Sequence, residues 1–127
     1  MIALKLLIAD DSADDARLVA YAMKRAGYAV QWQRVDDEAD FARALPGVDL
    51  VICDYAMPRF SPVRALEVIR ETGLRTPLLL VSGTVSEESA SRIIGLGAVG
   101  YLLKDRLDRL GEAVCSALGR GAATPEA

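Results

Sequence analysis

Residues 4–12 read LKLLIADDS, and this stretch decides the fold. A short apolar run stops at Asp10-Asp11, and Ser12 follows with the chemistry of a helix N-cap, Asp15 standing three residues on. A strand running straight into a capped helix is the first half of a βαβ unit. The same pattern recurs along the chain. Apolar runs at residues 29–35, 50–53, 78–81 and 99–103 alternate with stretches whose apolar residues return at helical spacing.

The helices read as follows. Ala16, Val19, Ala20 and Met23 mark one face of the first until Gly27 ends it, and Asp14 and Asp15 suit its positive end. A second spans about residues 37–45 and is stopped by Pro46-Gly47. Ser61-Pro62 opens a third with Val63, Leu66 and Ile69 inward, closing at Gly73. Ser86-Glu87-Glu88 opens a fourth with Ala90, Ile93 and Ile94 inward, kept short by Gly95 and Gly97. The last starts near Asp105, with Asp108 completing its cap, and presents Leu107, Leu110, Val114 and Leu118. Right-handed crossovers with short connections leave few topologies for five strands and five helices. The expected fold is α/β, a flavodoxin-like doubly wound parallel sheet in the order 2-1-3-4-5.

A chain of 127 residues has room for one such domain, and the expected division is residues 1–118 as the domain and 119–127, GRGAATPEA, as a flexible tail or linker. The apolar runs are strand-sized, which excludes a membrane span, and no secretory signal is legible at the start, so a cytoplasmic protein is expected. The net charge is −3 with scattered Lys and Arg, which argues against direct nucleic-acid binding. Cys53 and Cys115 lie far apart in apolar company and read as buried free thiols. There is no histidine, which removes Ser-His-Asp catalysis, imidazole ligation and any phosphohistidine on this chain.

Four of the apolar runs end in chemistry-bearing residues: Asp10-Asp11, Asp54, Ser82 and Lys104. Parallel strands finish on one edge, and ligands bind in the crevice beyond those ends. Two carboxylates about 4 Å apart repel by roughly 4 kcal/mol at an effective dielectric near 20. A divalent cation or a proton must relieve such a cluster. Oxygen-only ligands favour a hard ion, and Mg²⁺ fits best because it accepts one or two carboxylates together with phosphate oxygens. An Asp carboxylate can take up a phosphoryl group as a nucleophile, a transfer that depends on positioning and charge neutralisation; Lys104 and the Ser82 hydroxyl are suited to the latter.

Asp10-Asp11, Asp54-Tyr55-Ala56-Met57-Pro58, Ser82-Gly83-Thr84 and Gly97-Ala98-Val99-Gly100-Tyr101-Leu102-Leu103-Lys104 resemble, in this order and spacing, the signature of two-component response-regulator receiver domains. The resemblance implies that Asp54 takes a phosphoryl group from a phosphohistidine on a partner histidine kinase or phosphotransfer protein. It implies Mg²⁺ bound by Asp11, Asp54 and the backbone carbonyl of Ala56, with Asp10 acting through water. It implies that Lys104 contacts the phosphoryl group, while Ser82 moves toward it and lets Tyr101 turn inward. The output surface would be the fourth helix, fifth strand and fifth helix, read by a downstream protein or an attached output module and open to homodimerisation.

The chain departs from that family's pattern at two places. Asp105 stands where proline commonly follows the lysine, so a trans Lys104–Asp105 bond is expected. Phe60-Ser61-Pro62 replaces the usual Asp-Gly and should stiffen the start of the third helix. The MPRFS, SGT-x-x-EE and Lys-Asp features resemble a subgroup often attached to sensory signalling proteins. A small Mg²⁺-dependent phosphohydrolase would need a second acid two residues after its nucleophile, where Ala56 stands. A nucleotide- or flavin-binding module would need a glycine- or hydroxyl-rich first loop, where the acids stand. A phosphate-independent receiver-like interaction module is the other alternative, and it gives the polar residues at the strand ends no task.

Overall fold

The computed structural model describes residues 2–121. Five strands and five helices alternate: β1 (Ile2–Ala9), α1 (Ala13–Arg25), β2 (Tyr28–Val35), α2 (Glu38–Ala44), β3 (Leu50–Cys53), α3 (Pro62–Glu71), β4 (Leu78–Ser82), α4 (Glu87–Gly95), β5 (Gly100–Leu103) and α5 (Leu110–Gly121). A 3₁₀ segment, Lys104–Arg109, joins β5 to α5. All strand pairs are parallel, in the order β2-β1-β3-β4-β5. This is the doubly wound topology expected from the alternation.

The central strands are apolar at nearly every position because both faces of the sheet are covered. Leu4, Leu6 and Ile8 of β1, Leu50 and Ile52 of β3, and Leu79 and Val81 of β4 pack on the side of α1 and α5, with Ala16, Val19, Met23, Leu110 and Val114. Their alternate neighbours Leu7, Ala9, Val51, Cys53, Leu78 and Leu80 face α2, α3 and α4, with Phe41, Ala65, Ile69, Ala90 and Ile93. Two cores back to back thus hold the sheet. Their alternation with period two fixes the register, since a one-residue slip would exchange the faces.

Hydroxyl and carboxylate caps set four helix starts. Ser12, Asp37, Ser61 and Ser86 each accept the backbone N–H of the residue three positions on: Asp15, Asp40, Arg64 and Ser89. Phe60, buried just before Ser61, packs against Phe41 in a tilted arrangement with ring centroids 4.9 Å apart. Arg59 pairs with Asp36 at 3.0 Å, so the end of the β3–α3 connection next to α3 is anchored by two adjacent residues.

Three local expectations are corrected. Asp105 does not cap the last helix: the segment after β5 begins at Lys104 without a side-chain cap, bends at Arg106 (φ −122, ψ 39) and becomes α-helical only at Leu110, while Asp108 pairs with Arg106 at 3.3 Å. Ile94 is 38% exposed, not inward, because it lies about 100° round the helix from the buried Ile93. Cys115 is exposed for the same reason, one position past Val114 on a helix whose buried stripe is Leu110, Val114 and Ala117. Cys53 is buried as expected. The Lys104–Asp105 bond is trans, as are all described peptide bonds. Of the expected tail, Gly119 and Gly121 fall within α5, and residues 122–127 lie outside the described residues.

Candidate functional site

Strand register brings the acids together. Ala9 of β1 is paired with Cys53 of β3, so Asp10 and Asp54 leave adjacent strands at the same level. The Asp54 N–H donates to the Ala9 carbonyl at 2.8 Å, and the Asp10 N–H donates to the Val35 carbonyl at 3.0 Å. Asp11 follows at the exposed turn into α1. Carboxylate oxygens of Asp10, Asp11 and Asp54 all lie within 4.8 Å of one another. Asp10 and Asp54 are buried and Asp11 is exposed, so the group opens to solvent on one side.

On the other side of β3, Ser82 of β4 is paired with Leu103 of β5, which sends Lys104 off the same edge of the sheet. The Lys104 ammonium lies 2.9 Å from Asp10 Oδ2, 3.5 Å from Asp54 Oδ2 and 2.7 Å from Asp15 Oδ2. Gly83 leaves the β4–α4 loop lying against the lysine stem: a Cβ there would meet Lys104 Cδ at 4.0 Å.

The remaining carboxylate oxygens are held by the backbone. Asp10 Oδ1 accepts the Ser12 N–H at 2.9 Å, and Asp54 Oδ1 accepts the Tyr55 N–H at 2.8 Å. Burial is the largest influence on Asp10 and lifts its carboxyl above the usual range, against the hydrogen bonds from Lys104 and the Ser12 amide; the Asp54 charge adds to the rise. Burial works against the Lys104 ammonium, but its hydrogen bonds to Asp15 and Asp10 and the charge of Asp54 outweigh it, so it titrates above the ordinary lysine range. The ammonium is therefore a permanent charge at physiological pH.

Among the described residues, Ser82 Oγ is the one buried side-chain polar atom without a hydrogen-bond partner. A buried hydroxyl is costly to leave unpaired, and this one stands at the edge of the site. Tyr101 on β5 is 37% exposed. Ala56 is exposed in the loop after Asp54. The sequence analysis missed two contributors. Asp15, read there as a helix-end charge, reaches Lys104, and Arg34 of β2 donates to the Asp10 carbonyl at 3.0 Å. Neither has a local signal, since each partner is distant in sequence.

A sequence profile described as response regulator receiver domain matches residues 6–115. The chain belongs to this family. Receivers are phosphoacceptor signalling domains of two-component systems, and the three-carboxylate group at the sheet edge is the feature by which they hold a metal ion. This receiver is 33% identical over 108 residues to the chemotaxis protein CheY of Treponema pallidum, covering 83% of this chain and 74% of that protein. It is 42% identical over 72 residues to the Regulator of RpoS of Escherichia coli (strain K12), but that match spans 55% of this chain and only 21% of the relative. The match to the alkaline phosphatase synthesis transcriptional regulatory protein PhoP of Bacillus subtilis, 28% identical over 102 residues, spans 42% of that relative. The receiver fold is also that of the Francisella response regulator 1452 receiver domain (TM-score 0.78, 22% identity, 94% of this chain and 99% of that one). A response regulator receiver domain from Clostridium thermocellum gives a TM-score of 0.76 at 22% identity over 93% of this chain and 96% of that one. Among the described residues, no helix is long and apolar enough to cross a membrane.

Proposed function

We propose that Asp54 is the phosphoacceptor and that the donor is a phosphohistidine on a partner histidine kinase or phosphotransfer protein. The observation that carries this reading is the convergence of Asp10, Asp11 and Asp54 on one edge with the Lys104 ammonium against them. The chain has no histidine, so the phosphohistidine must belong to the partner.

A carboxylate oxygen of Asp54 attacks phosphorus, the bond from phosphorus to the imidazole nitrogen breaks, and its electron pair returns to that nitrogen. The three carboxylates form an all-oxygen donor set that suits Mg²⁺; Asp11, Asp54 and the Ala56 carbonyl would hold the ion directly, and Asp10 would help through water. When bound, the ion would supply positive charge to the phosphoryl oxygens. Lys104 supplies a second positive charge, and the unpartnered Ser82 hydroxyl donates to a phosphoryl oxygen. In this way the domain promotes its own phosphorylation and, with water as the attacking group, its own dephosphorylation.

The added charge, about −1.5 to −2 by analogy with other phosphorylated side chains, biases two arrangements of the β4–α4 loop. Ser82 moves toward the phosphoryl group, Tyr101 turns from its half-exposed position, and the α4-β5-α5 face changes. That face is read by a downstream protein or an attached output module, or it pairs with a second copy. The receiver runs through the end of α5 at Gly121, three residues past the expected boundary at 118, and what remains of the expected tail or linker is 122–127, in a cytoplasmic protein that does not itself contact nucleic acid.

The test is Mg²⁺-dependent labelling by phosphoramidate, with the modified residue mapped by mass spectrometry. Labelling at Asp54 that is lost in a folded Asp54→Asn variant is the expected result. Undiminished labelling of that variant, or steady turnover of small phosphate esters, overturns the assignment.

A further inference from the structure

Lys104 has three N–H bonds to donate, and the acid nearest to it is not one of the three that converge at the sheet edge. Asp15 Oδ2 stands 2.7 Å from the ammonium, closer than Asp10 at 2.9 Å or Asp54 at 3.5 Å. The position of Asp15 is built in. Its amide is tied to Ser12 Oγ at 3.1 Å, and the Ser12 amide is tied to Asp10 Oδ1 at 2.9 Å, so one short chain of hydrogen bonds sets both acids against the lysine.

The three carboxylates differ in what they lose if the ammonium leaves. The Asp10 and Asp54 side chains are only 3% and 7% exposed, and an unpaired charge there is poorly solvated. The Asp15 side chain is 38% exposed and can be solvated at once. Asp15 is therefore the partner that Lys104 can leave most cheaply when a phosphoryl group arrives on Asp54.

Resting on the phosphoacceptor reading above, we propose that Asp15 is a positioning residue for phosphoryl transfer: it holds the Lys104 ammonium on the α1 side of the site in the unphosphorylated receiver and competes with the phosphoryl group for it. Removing the carboxylate frees the ammonium for the phosphoryl oxygens. Asp15→Asn keeps the backbone amide that Ser12 caps, so the start of α1 is retained. Asp14→Asn removes the same charge from the neighbouring position, whose carboxylate pairs with Arg17 at 2.9 Å instead of Lys104.

The experiment compares the initial rate of Asp54 labelling by phosphoramidate with Mg²⁺ in the intact chain and the two variants, alongside the side-chain ¹⁵N–¹H signal of the Lys104 ammonium without donor. Asp15→Asn is expected to raise the rate about two- to fivefold, the range of a partly exposed ion pair, and to shift the Lys104 signal. Asp14→Asn should leave that signal in place and change the rate less. Equal rates in the two variants, a slower Asp15→Asn, or a Lys104 signal indifferent to Asp15 defeats the inference while leaving the phosphoacceptor reading intact. Absence of labelling in the unaltered chain defeats both.

Discussion

The Asp54 amide donates to the Ala9 carbonyl at 2.8 Å, and this rung closes the β1–β3 ladder immediately below the acids. Because the rung follows the Ala9–Cys53 pair, the next side chains on the two strands are both carboxylates, and the sheet itself forces them together.

Such crowding makes a divalent cation a stabilising ligand. Mg²⁺ at ten times its dissociation constant should raise unfolding free energy by about 1.4 kcal/mol. Asp11 has no salt-bridge partner among the described residues. Asp11→Asn should therefore stabilise the ion-free domain and remove the Mg²⁺ effect. Urea unfolding with and without MgCl₂ measures both; an Mg²⁺ gain that survives in the variant contradicts the site.

Asp10 gives the ion-free domain a pH signature. Burial raises its folded-state pKa above the ordinary value of 3.8, so the folded state holds this proton more tightly than the unfolded chain does. The contribution favours folding below 3.8 and is lost as pH rises through the folded value. Asp10→Asn, which does not ionise, should gain stability relative to the unaltered chain as pH climbs through that window. A difference that is flat with pH, or of opposite slope, refutes the assignment.

Ser82→Ala removes a buried hydroxyl that has no partner. The unphosphorylated domain should become more stable by about 1 kcal/mol, while the conformational response to phosphorylation is weakened. Destabilisation in thermal unfolding would mean that Oγ is already satisfied.

Gly111, at the start of α5, passes close to the end of α1. A Cβ there would stand 2.8 Å from the Ala26 Cβ, which is attached to backbone and cannot swing away. Overpacking of about 1–3 kcal/mol outweighs the helix propensity gain of about 1 kcal/mol. Gly111→Ala should lower the denaturation midpoint; an unchanged or higher midpoint would show that the two helices separate freely.

The two thiols should react very differently. Cys115 is exposed, whereas Cys53 is buried and its pKa is pushed up by burial and by the charges of Asp54 and Asp10. One thiol should be titrated rapidly by a disulfide reagent in the native protein, the second only on unfolding. Equal native reactivity would contradict the packing of β3.

Local pattern carries far in this chain. Ser12, Asp37, Ser61 and Ser86 announce their helices because capping is a contact over three residues. Asp10, Asp54, Ser82 and Lys104 were legible as a group because each follows an apolar run, and parallel strands share an edge. Where local logic competes with packing, it fails. Asp105 has the residue type of a cap, but the backbone after Lys104 first takes a 3₁₀ path and bends at Arg106. Ile94 and Cys115 match the helical apolar pattern, yet neither falls on the narrow stripe that the sheet covers.

By itself, the sequence determined the order of elements, their caps and which strand ends carry chemistry, since these depend on neighbours within a few residues. Only the tertiary structure decided the partners of Lys104. Asp15 lies 89 residues away along the chain, and their ion pair exists because the start of α1 and the end of β5 meet over the same edge of the sheet. Electrostatic contacts depend on distance in space, and no periodicity along a chain encodes which charges will share it.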